Sequence, residues 1–209
     1  MTARRAYDSA GTAARILDVA EQLVQVRGFN GFSYADIASE LKITKAALHY
    51  HFAVKADLGE ALINRYATRF ISALAEVDGS AVPPPAKLAA YADLYAQVLR
   101  RRRMCLCGML AAEYQTLPRG MQDAVVSFFD ENESWLAGVL RDGREGGSLR
   151  FAGADRDAAR MIINCLEGAM LMARPYGDVS RFRAAAASLL AGFTPVTAQV
   201  PGLAAAQPA

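Results

Sequence analysis

Apolar residues recur at helical spacing along most of this chain, and no stretch alternates β-branched and polar residues between turn signals. Alanine, the strongest helix former, makes up about a fifth of the residues. A chain of 209 residues that is 53% hydrophobic can bury a substantial core, but it is too short for a multi-domain enzyme. The sequence therefore predicts an all-α fold.

Capping residues divide the first quarter of the chain into three helices. Gly28 follows an apolar helical stripe and is expected to end that helix in the left-handed conformation. Ser33, with Asp36 three residues later, has the pattern of a capping box and opens a short second helix. Thr44 caps a third helix, which extends to Phe52.

A longer helical region follows and is interrupted by the loop DGSAVPPPA, whose three prolines cannot continue a helix. We predict helices at 55–77, 86–103, 105–116, 119–144, 156–174 and 179–192. The predicted organisation is a helix-turn-helix domain at 1–54 with an arm at 1–11, a helical domain at 55–193, and a disordered Pro- and Ala-rich tail at 194–209.

The segment from Leu41 to Ala56, LKITKAALHYHFAVKA, carries the clearest chemical signal. It contains three lysines and both histidines of the protein but no acid, although the chain has 21 acidic residues and a net charge of only +2. A local basic patch in a nearly neutral protein is suited to contact with phosphates. The alternative is an ordinary solvated helix face.

Helical geometry separates this segment into an inner and an outer face. Leu48 and Phe52 lie four residues apart and point inward, whereas Ala46, Ala47 and Tyr50 point outward. Small residues at the tip allow a helix to approach the floor of a DNA groove, and the polar residues around them can contact the backbone. The pattern therefore predicts a helix-turn-helix in which residues 45–52 read the DNA.

The segment from Thr12 to about Tyr66 resembles the N-terminal domain of TetR/AcrR-type transcriptional regulators. The resemblance is carried, in order, by RGF before a capped short helix, by DIASEL, and by ITKAALHYHFAVKADL. It implies an operator-binding homodimer whose larger domain binds a small, largely apolar inducer, and it assigns the DNA contacts to Ser33, Thr44, Lys45, Ala46, Ala47, Tyr50, His51 and Lys55.

Two further features near this domain have open interpretations. His49 stands where the family usually has tyrosine, so it either contacts DNA, with some pH dependence, or fills the aromatic position. Arg4 and Arg5 precede the expected first helix and either enter a minor groove or are solvated.

The second half of the chain supplies large, adaptable apolar side chains that could line a cavity in a helical bundle, with a few polar groups to orient a ligand. Each of these residues could equally belong to the core. The candidates are Met104, Cys107, Met109, Leu110, Tyr114, Phe128, Phe129, Trp135, Met161, Asn164, Glu167, Met170 and Met172, with Gln115 as a further polar group.

Cys105 and Cys107 lie shortly after a run of four arginines, and nearby cations increase the thiolate fraction of a cysteine. An alternative function is therefore a repressor that senses oxidants or electrophiles through these two thiols. The competing interpretation is that both are buried and inert.

The last two predicted helices contain more apolar and small residues than one chain is expected to bury, including Gly168-Ala169 and the run 184–187. A symmetric four-helix interface would cover them, and the resemblance implies dimerisation through the final helices.

Other classes of protein lack support in the sequence. Three cysteines do not form a disulfide framework, charges at Asp8, Arg15 and Asp18 interrupt any signal-peptide core, and the longest apolar run is too short to span a membrane. No metal-ligand cluster, cofactor loop or nucleophile–base pair is evident, which disfavours an all-α enzyme. We expect a cytoplasmic transcriptional regulator without cofactor, in the simplest case a repressor.

Overall fold

The computed structural model describes residues 2–194, with side chains from residue 11 onward. Within this range all regular secondary structure is helical, which confirms the predicted all-α fold. The helices are α1 (Thr2–Arg27), α2 (Tyr34–Leu41), α3 (Lys45–His51), α4 (Lys55–Gly79), α5 (Pro84–Arg100), α6 (Leu106–Ala112), α7 (Arg119–Glu145), α8 (Asp155–Ala173) and α9 (Val179–Ala191), with 3-10 turns at Tyr114–Thr116 and Arg174–Tyr176.

The first three helices form a small bundle whose core is made by fully buried residues such as Ile16, Ile37 and Leu48. As predicted, Gly28 ends α1 with a φ of 83°. Lys42 makes the turn between α2 and α3 with a φ of 54°, a left-handed conformation that costs a non-glycine residue about 1 kcal/mol. The short turn fixes α3 against α2.

The remaining helices form a larger bundle around an aromatic centre. Here α7 packs against α4 and α8, and α9 packs against α5 and α8. The buried rings of Tyr91, Tyr95 and Phe128 occupy the middle. Asn132 is fully buried beside these rings. Its side-chain oxygen accepts a hydrogen bond from the Tyr91 hydroxyl at 3.2 Å, and its side-chain nitrogen donates to the Phe128 carbonyl at 2.7 Å. The amide is therefore hydrogen-bonded within the described chain.

Two segments differ from the sequence predictions. The first helix begins at Thr2, so the predicted arm at 1–11 is helical from its second residue, and the side chains of Arg4 and Arg5 lie outside the described ones. Helix α5 ends at Arg100 rather than at residue 103, because Arg102 turns to a φ of 56° and the chain then bonds back to α1 through Met104. The predicted tail lies outside the described residues from 195 onward.

Candidate nucleic-acid interface and ligand cavity

One face of helix α3 packs on the core of the domain, and the opposite face is exposed to solvent. Thr44 caps it, because its hydroxyl oxygen accepts the backbone N–H of Ala47 at 3.2 Å. Leu48 is fully buried beneath the helix. On the outer face Lys45 and Ala46 are exposed, and the Tyr50 side chain is 79% exposed. An exposed tyrosine of this size has a ring and a hydroxyl available for contact with another molecule.

His49 is engaged within the domain. Its ring packs against Tyr34 at 4.9 Å between centroids, and its Nδ1 is 3.0 Å from the Ala53 carbonyl. The Tyr34 hydroxyl in turn donates to the Phe52 carbonyl at 2.9 Å. These contacts favour the interpretation in which His49 fills the aromatic position, with one edge left exposed.

Lys55 does not face the outer surface with the other basic residues. Its Nζ donates to the carbonyls of Phe29 and Phe32, and it lies 4.5 and 4.1 Å from the centroids of their rings. Partial burial lowers the pKa of this ammonium, while Glu113 acts in the opposite direction. We therefore correct the assignment of Lys55 as a phosphate contact: two of its three donors are already used inside the protein.

Ser33 is the N-cap residue of α2, and Asp36 makes the reciprocal contact of the predicted capping box. The Asp36 carboxylate accepts both the backbone N–H and the hydroxyl of Ser33 at 2.8 Å. These hydrogen bonds lower the pKa of Asp36. The Ser33 hydroxyl is a donor to Asp36 and leaves the first N–H groups of α2 without a side-chain acceptor from this residue.

A cavity of about 420 Å³ lies between α6, α7 and α8. Its lining is mainly apolar and includes four polar or charged side chains, Glu133 on α7 and Arg160, Asn164 and Glu167 on α8. The lining residues are Met104, Gly108, Met109, Ala111, Ala112, Phe129, Glu133, Arg160, Ile163, Asn164, Glu167, Gly168 and Leu171. The volume is suited to a small organic molecule.

Glu133, at one side of the cavity, is fully paired. Arg156 donates to its Oε1, and Arg160 Nε donates to its Oε2 at 2.9 Å. The side chain is buried, which would by itself raise its pKa, but the two guanidinium groups outweigh this effect and lower the pKa of Glu133.

Glu167 lines the same cavity without an equivalent partner. Its Oε1 is covered from solvent and accepts no hydrogen bond within the described chain, although the Cys105 thiol contacts the carboxyl group. Because burial penalises the charged form, it raises the pKa of Glu167 to about 7. Gly108 permits this arrangement, since a β-carbon at that position would collide with Glu167 Oε2.

The end of α6 contacts the DNA-binding half directly. Glu113, which follows α6, accepts the backbone N–H of Phe29 at 2.6 Å. Gly28 leaves room for this carboxylate, because a β-carbon there would collide with it. The Met104 N–H, before α6, donates to the Gln25 carbonyl at 3.1 Å. Both ends of the segment that lines the cavity are therefore hydrogen-bonded to the end of α1 or to the loop after it.

Comparisons with known proteins agree with this architecture. Residues 16–62 match the family described as bacterial regulatory proteins, tetR family, and residues 84–189 match the tetracyclin repressor-like C-terminal domain. The transcriptional regulator AcuR of Cereibacter sphaeroides is 30% identical over 154 residues, which are 71% of this chain and 69% of AcuR.

Solved structures give the same result over nearly the whole chain. A TetR family transcriptional regulator from Agrobacterium tumefaciens has a TM-score of 0.86 and 32% identity, covering 90% of this chain and all of its own. A TetR transcriptional regulator from Legionella pneumophila has a TM-score of 0.79 and 32% identity, covering 86% and 96%. The chain is a member of the TetR/AcrR family of transcriptional regulators.

This TetR/AcrR regulator thus has the helix-turn-helix domain and the larger helical domain that the sequence predicted. Members of the family are generally not enzymes. In the described part of the chain, no helix is long and apolar enough to cross a membrane, and no group of three or more His, Cys, Asp or Glu residues could hold a metal ion.

Cys105 and Cys107 of the regulator do not have the environment of sensor thiols, and this corrects the alternative of a thiol-sensing repressor. Cys105 and Cys107 are 1% and 0% exposed. Burial raises the pKa of both thiols, and the neighbouring Glu167 adds to the effect. The preceding arginines do not offset it, because Arg100 ends α5 and Arg103 is directed to Gln22 of α1.

The predicted cavity residues divide into two groups. Met104, Met109, Phe129, Asn164 and Glu167 do line the cavity. The other predicted side chains lie elsewhere. Cys107, Leu110, Phe128 and Met170 are in the core, Met161 and Met172 are exposed on α8, Tyr114 and Gln115 are in the 3-10 turn, and Trp135 stacks on Tyr91 and donates to Asp78 at 2.9 Å.

Sequence reasoning also missed cavity residues. Gly108, Ala111, Ala112 and Gly168 line the space because their side chains do not fill it. Glu133, Arg160, Ile163 and Leu171 were missed because they lie on α7 and α8, whose rotation depends on long-range packing. The one available signal was the presence of small residues within otherwise bulky helices.

Proposed function

We propose that this protein is a cytoplasmic homodimeric repressor that binds a palindromic DNA operator and leaves it when a small molecule enters the cavity between α6, α7 and α8. The observation that carries the proposal is the exposed outer face of α3, which presents Lys45, Ala46 and Tyr50 on a rigidly capped helix with no acidic residue. Membership of the TetR/AcrR family supports it.

The proposed DNA surface comprises residues of three kinds. Lys45, Ala46 and Ala47 reach base edges or the adjacent backbone, Tyr50 and His51 hydrogen-bond phosphates, and the amino ends of α2 and α3 at Ser33 and Thr44 approach phosphates with their partial positive charge. His49 contributes at most its exposed edge, because its ring is packed on Tyr34.

A dimer provides two such surfaces. We propose that α8 and α9 form the interface, since Met161 and Met172 of α8 are exposed large apolar residues. The exposed alanines of α9 allow close helix approach. Two-fold symmetry then requires a symmetric operator, with half-sites about one helical turn, roughly 34–36 Å, apart or a variation on that distance.

Release of DNA follows from the position of α6. A ligand in the cavity contacts α6, and Glu113 at its end holds the loop after α1. The ligand releases the operator only if it binds more tightly to the arrangement in which the two reading helices no longer match the half-sites. Occupancy without this difference in affinity would leave DNA binding unchanged.

The test is a DNase footprint of the protein on its own upstream region, followed by a screen for small molecules that remove the footprint. Lys45→Ala and Tyr50→Phe should each weaken the footprint while leaving dimer mass and helicity unchanged. If both variants bind as the original protein does, the assignment of α3 as the reading helix is wrong.

A further inference from the structure

We propose that the cavity selects small molecules that carry a protonated amine on an apolar body, and that Glu167 accepts the ammonium N–H. The proposal rests on the proposed function in one respect, that this cavity is the regulatory ligand site. It adds the chemical class of ligand and the residue that recognises it.

The first support is that Glu167 has a polar atom that nothing in the described chain satisfies. A buried acceptor without a hydrogen bond costs free energy, and a ligand that donates to it removes this cost. The Oε1 atom of Glu167 meets this description, and the residue lines the cavity. A rotation about the terminal side-chain torsion, which is soft, turns a carboxyl oxygen toward the space.

The second support is the balance of charge around the cavity. Glu133 and Asp157 are paired with Arg156 and Arg160, so two acids and two bases cancel. Glu167 is left over and gives the site one negative charge when it is ionised. A cationic ligand supplies the missing counter-charge, whereas a carboxylate ligand would meet a like charge beside arginines that are already occupied.

The third support is that no cation of the described chain approaches Glu167 from the helices packed around it. The other titratable groups that influence it or line its cavity are Tyr66 on α4, Tyr91 and Tyr95 on α5, Cys105 and Cys107 at the start of α6, Glu133 on α7 and Arg160 on α8. Burial raises the pKa of the three tyrosines and the two cysteines, so they stay neutral, and Arg160 is bound to Glu133 and Asp157.

The rest of the cavity fits an apolar body. Met104 and Met109 are flexible and adapt to different shapes, and Phe129, Ile163 and Leu171 complete the apolar wall. An ammonium group with a short hydrocarbon chain therefore places its charge at Glu167 and its carbon atoms against these residues.

Binding of such a ligand is linked to pH. With a pKa of about 7, Glu167 is partly protonated in the free protein at neutral pH, and a bound cation favours the ionised form. Affinity for the amine should therefore rise between pH 6 and pH 8, and binding near pH 7 should release protons. A ligand without charge has no such dependence on Glu167.

The experiment uses the full chain without DNA and three probes of matched length: hexylamine, hexan-1-ol and hexanoate. Calorimetric titration at pH 7.5 should give an affinity for hexylamine roughly tenfold or more above that for hexan-1-ol, and no binding of hexanoate. Repeating the titration in two buffers of different ionisation enthalpy should show proton release with hexylamine alone. Glu167→Gln should lower the hexylamine affinity roughly tenfold or more and leave the hexan-1-ol affinity within about twofold.

Binding of hexan-1-ol by Glu167→Gln shows that the cavity of this variant is intact. The matched control is Glu131→Gln, which removes an exposed acidic residue of α7. Preferred binding of hexanoate, equal binding of amine by Glu167→Gln, or no binding of any probe would overturn the proposal. A footprint run in parallel separates the two proposals: amine binding without a specific footprint would contradict the proposed function and leave the ligand class standing.

Discussion

The Glu113 carboxylate and the Phe29 backbone N–H, 84 residues apart in sequence, form a hydrogen bond of 2.6 Å between the ligand-binding half and the DNA-binding half. A second contact lies beside it, because Asn30 Nδ2 donates to Thr116 Oγ1 at 2.7 Å. Glu113 follows directly after α6, which lines the cavity. The loop that precedes α2 is therefore hydrogen-bonded to the segment that follows α6, and we propose that a shift of α6 is transmitted through these contacts.

Glu113→Ala should lower the free energy of unfolding by about 1–3 kcal/mol, because it leaves the Phe29 N–H without its acceptor and removes a charge that favours the Lys55 ammonium. Urea unfolding followed by circular dichroism measures the change. Glu145→Ala, at the exposed end of α7, is the control and should have little effect. An unchanged urea midpoint for Glu113→Ala would show that this hydrogen bond does not stabilise the junction.

Lys45→Ala should weaken operator binding and reduce the slope of log affinity against log salt by about 1, because one cationic contact with the DNA backbone is lost. Fluorescence anisotropy across a series of salt concentrations measures both quantities. Arg141→Ala removes the same charge near the far end of α7 and should leave the slope unchanged. A Lys45→Ala slope equal to that of the original protein would contradict the phosphate contact.

The DNA-binding half could be predicted in detail because its signals are local. The Thr44 cap and the left-handed Gly28 each depend on a few adjacent residues, and both are present as the sequence predicted. Lys55 was assigned wrongly for the opposite reason. Its carbonyl partners, Phe29 and Phe32, are more than 20 residues away, and no local pattern brings them together.

The cavity could be predicted only in part because a cavity depends on unfilled space. The sequence favours large residues such as Phe128 and Met170 as cavity candidates, but in the structure these side chains fill the core. Space remains where α6 and α8 present glycine, at Gly108 and Gly168. Which face of each helix meets the other is set by packing over the whole domain, and the sequence pattern alone does not determine it.

Met172→Glu should convert the dimer to a monomer and abolish tight operator binding, because Met172 is 63% exposed on the α8 face that we propose as the interface. Light scattering after size exclusion gives the mass, and anisotropy gives the affinity. Val126→Glu is the matched control, since Val126 is an exposed apolar residue on α7. A dimeric Met172→Glu variant, or a monomeric Val126→Glu variant, would require a different interface.

Cys105 and Cys107 should resist alkylation in the folded protein, because both are buried and burial raises the pKa of their thiols. Treatment with N-ethylmaleimide at pH 7.5, followed by peptide mass spectrometry, should find adducts at these positions only after urea unfolding. Cys165 lies on α8 between Met161 and Met172, on the proposed dimer face, so the urea-unfolded protein, in which all three thiols are accessible, is the comparison. Rapid modification of Cys105 or Cys107 in the native protein would revive the thiol-sensor hypothesis.

Glu167→Gln should be more stable than the original protein at pH 8 and closer to it at pH 5. Burial raises the folded-state pKa of Glu167 from 4.5 to about 7, so the folded protein binds more protons than the unfolded chain between these values. The carboxyl group therefore stabilises the fold least above pH 7, where ionisation of the buried group costs free energy, and this cost disappears as the pH falls through the interval. Glutamine carries no charge, so the Glu167→Gln variant does not pay the cost of ionising a buried carboxyl group.

Urea unfolding of the original protein and the Glu167→Gln variant at pH 5 and pH 8 measures the difference in stability, with Glu131→Gln as the control. A stability difference that is independent of pH would mean that Glu167 titrates near its ordinary value and that the cavity does not desolvate it.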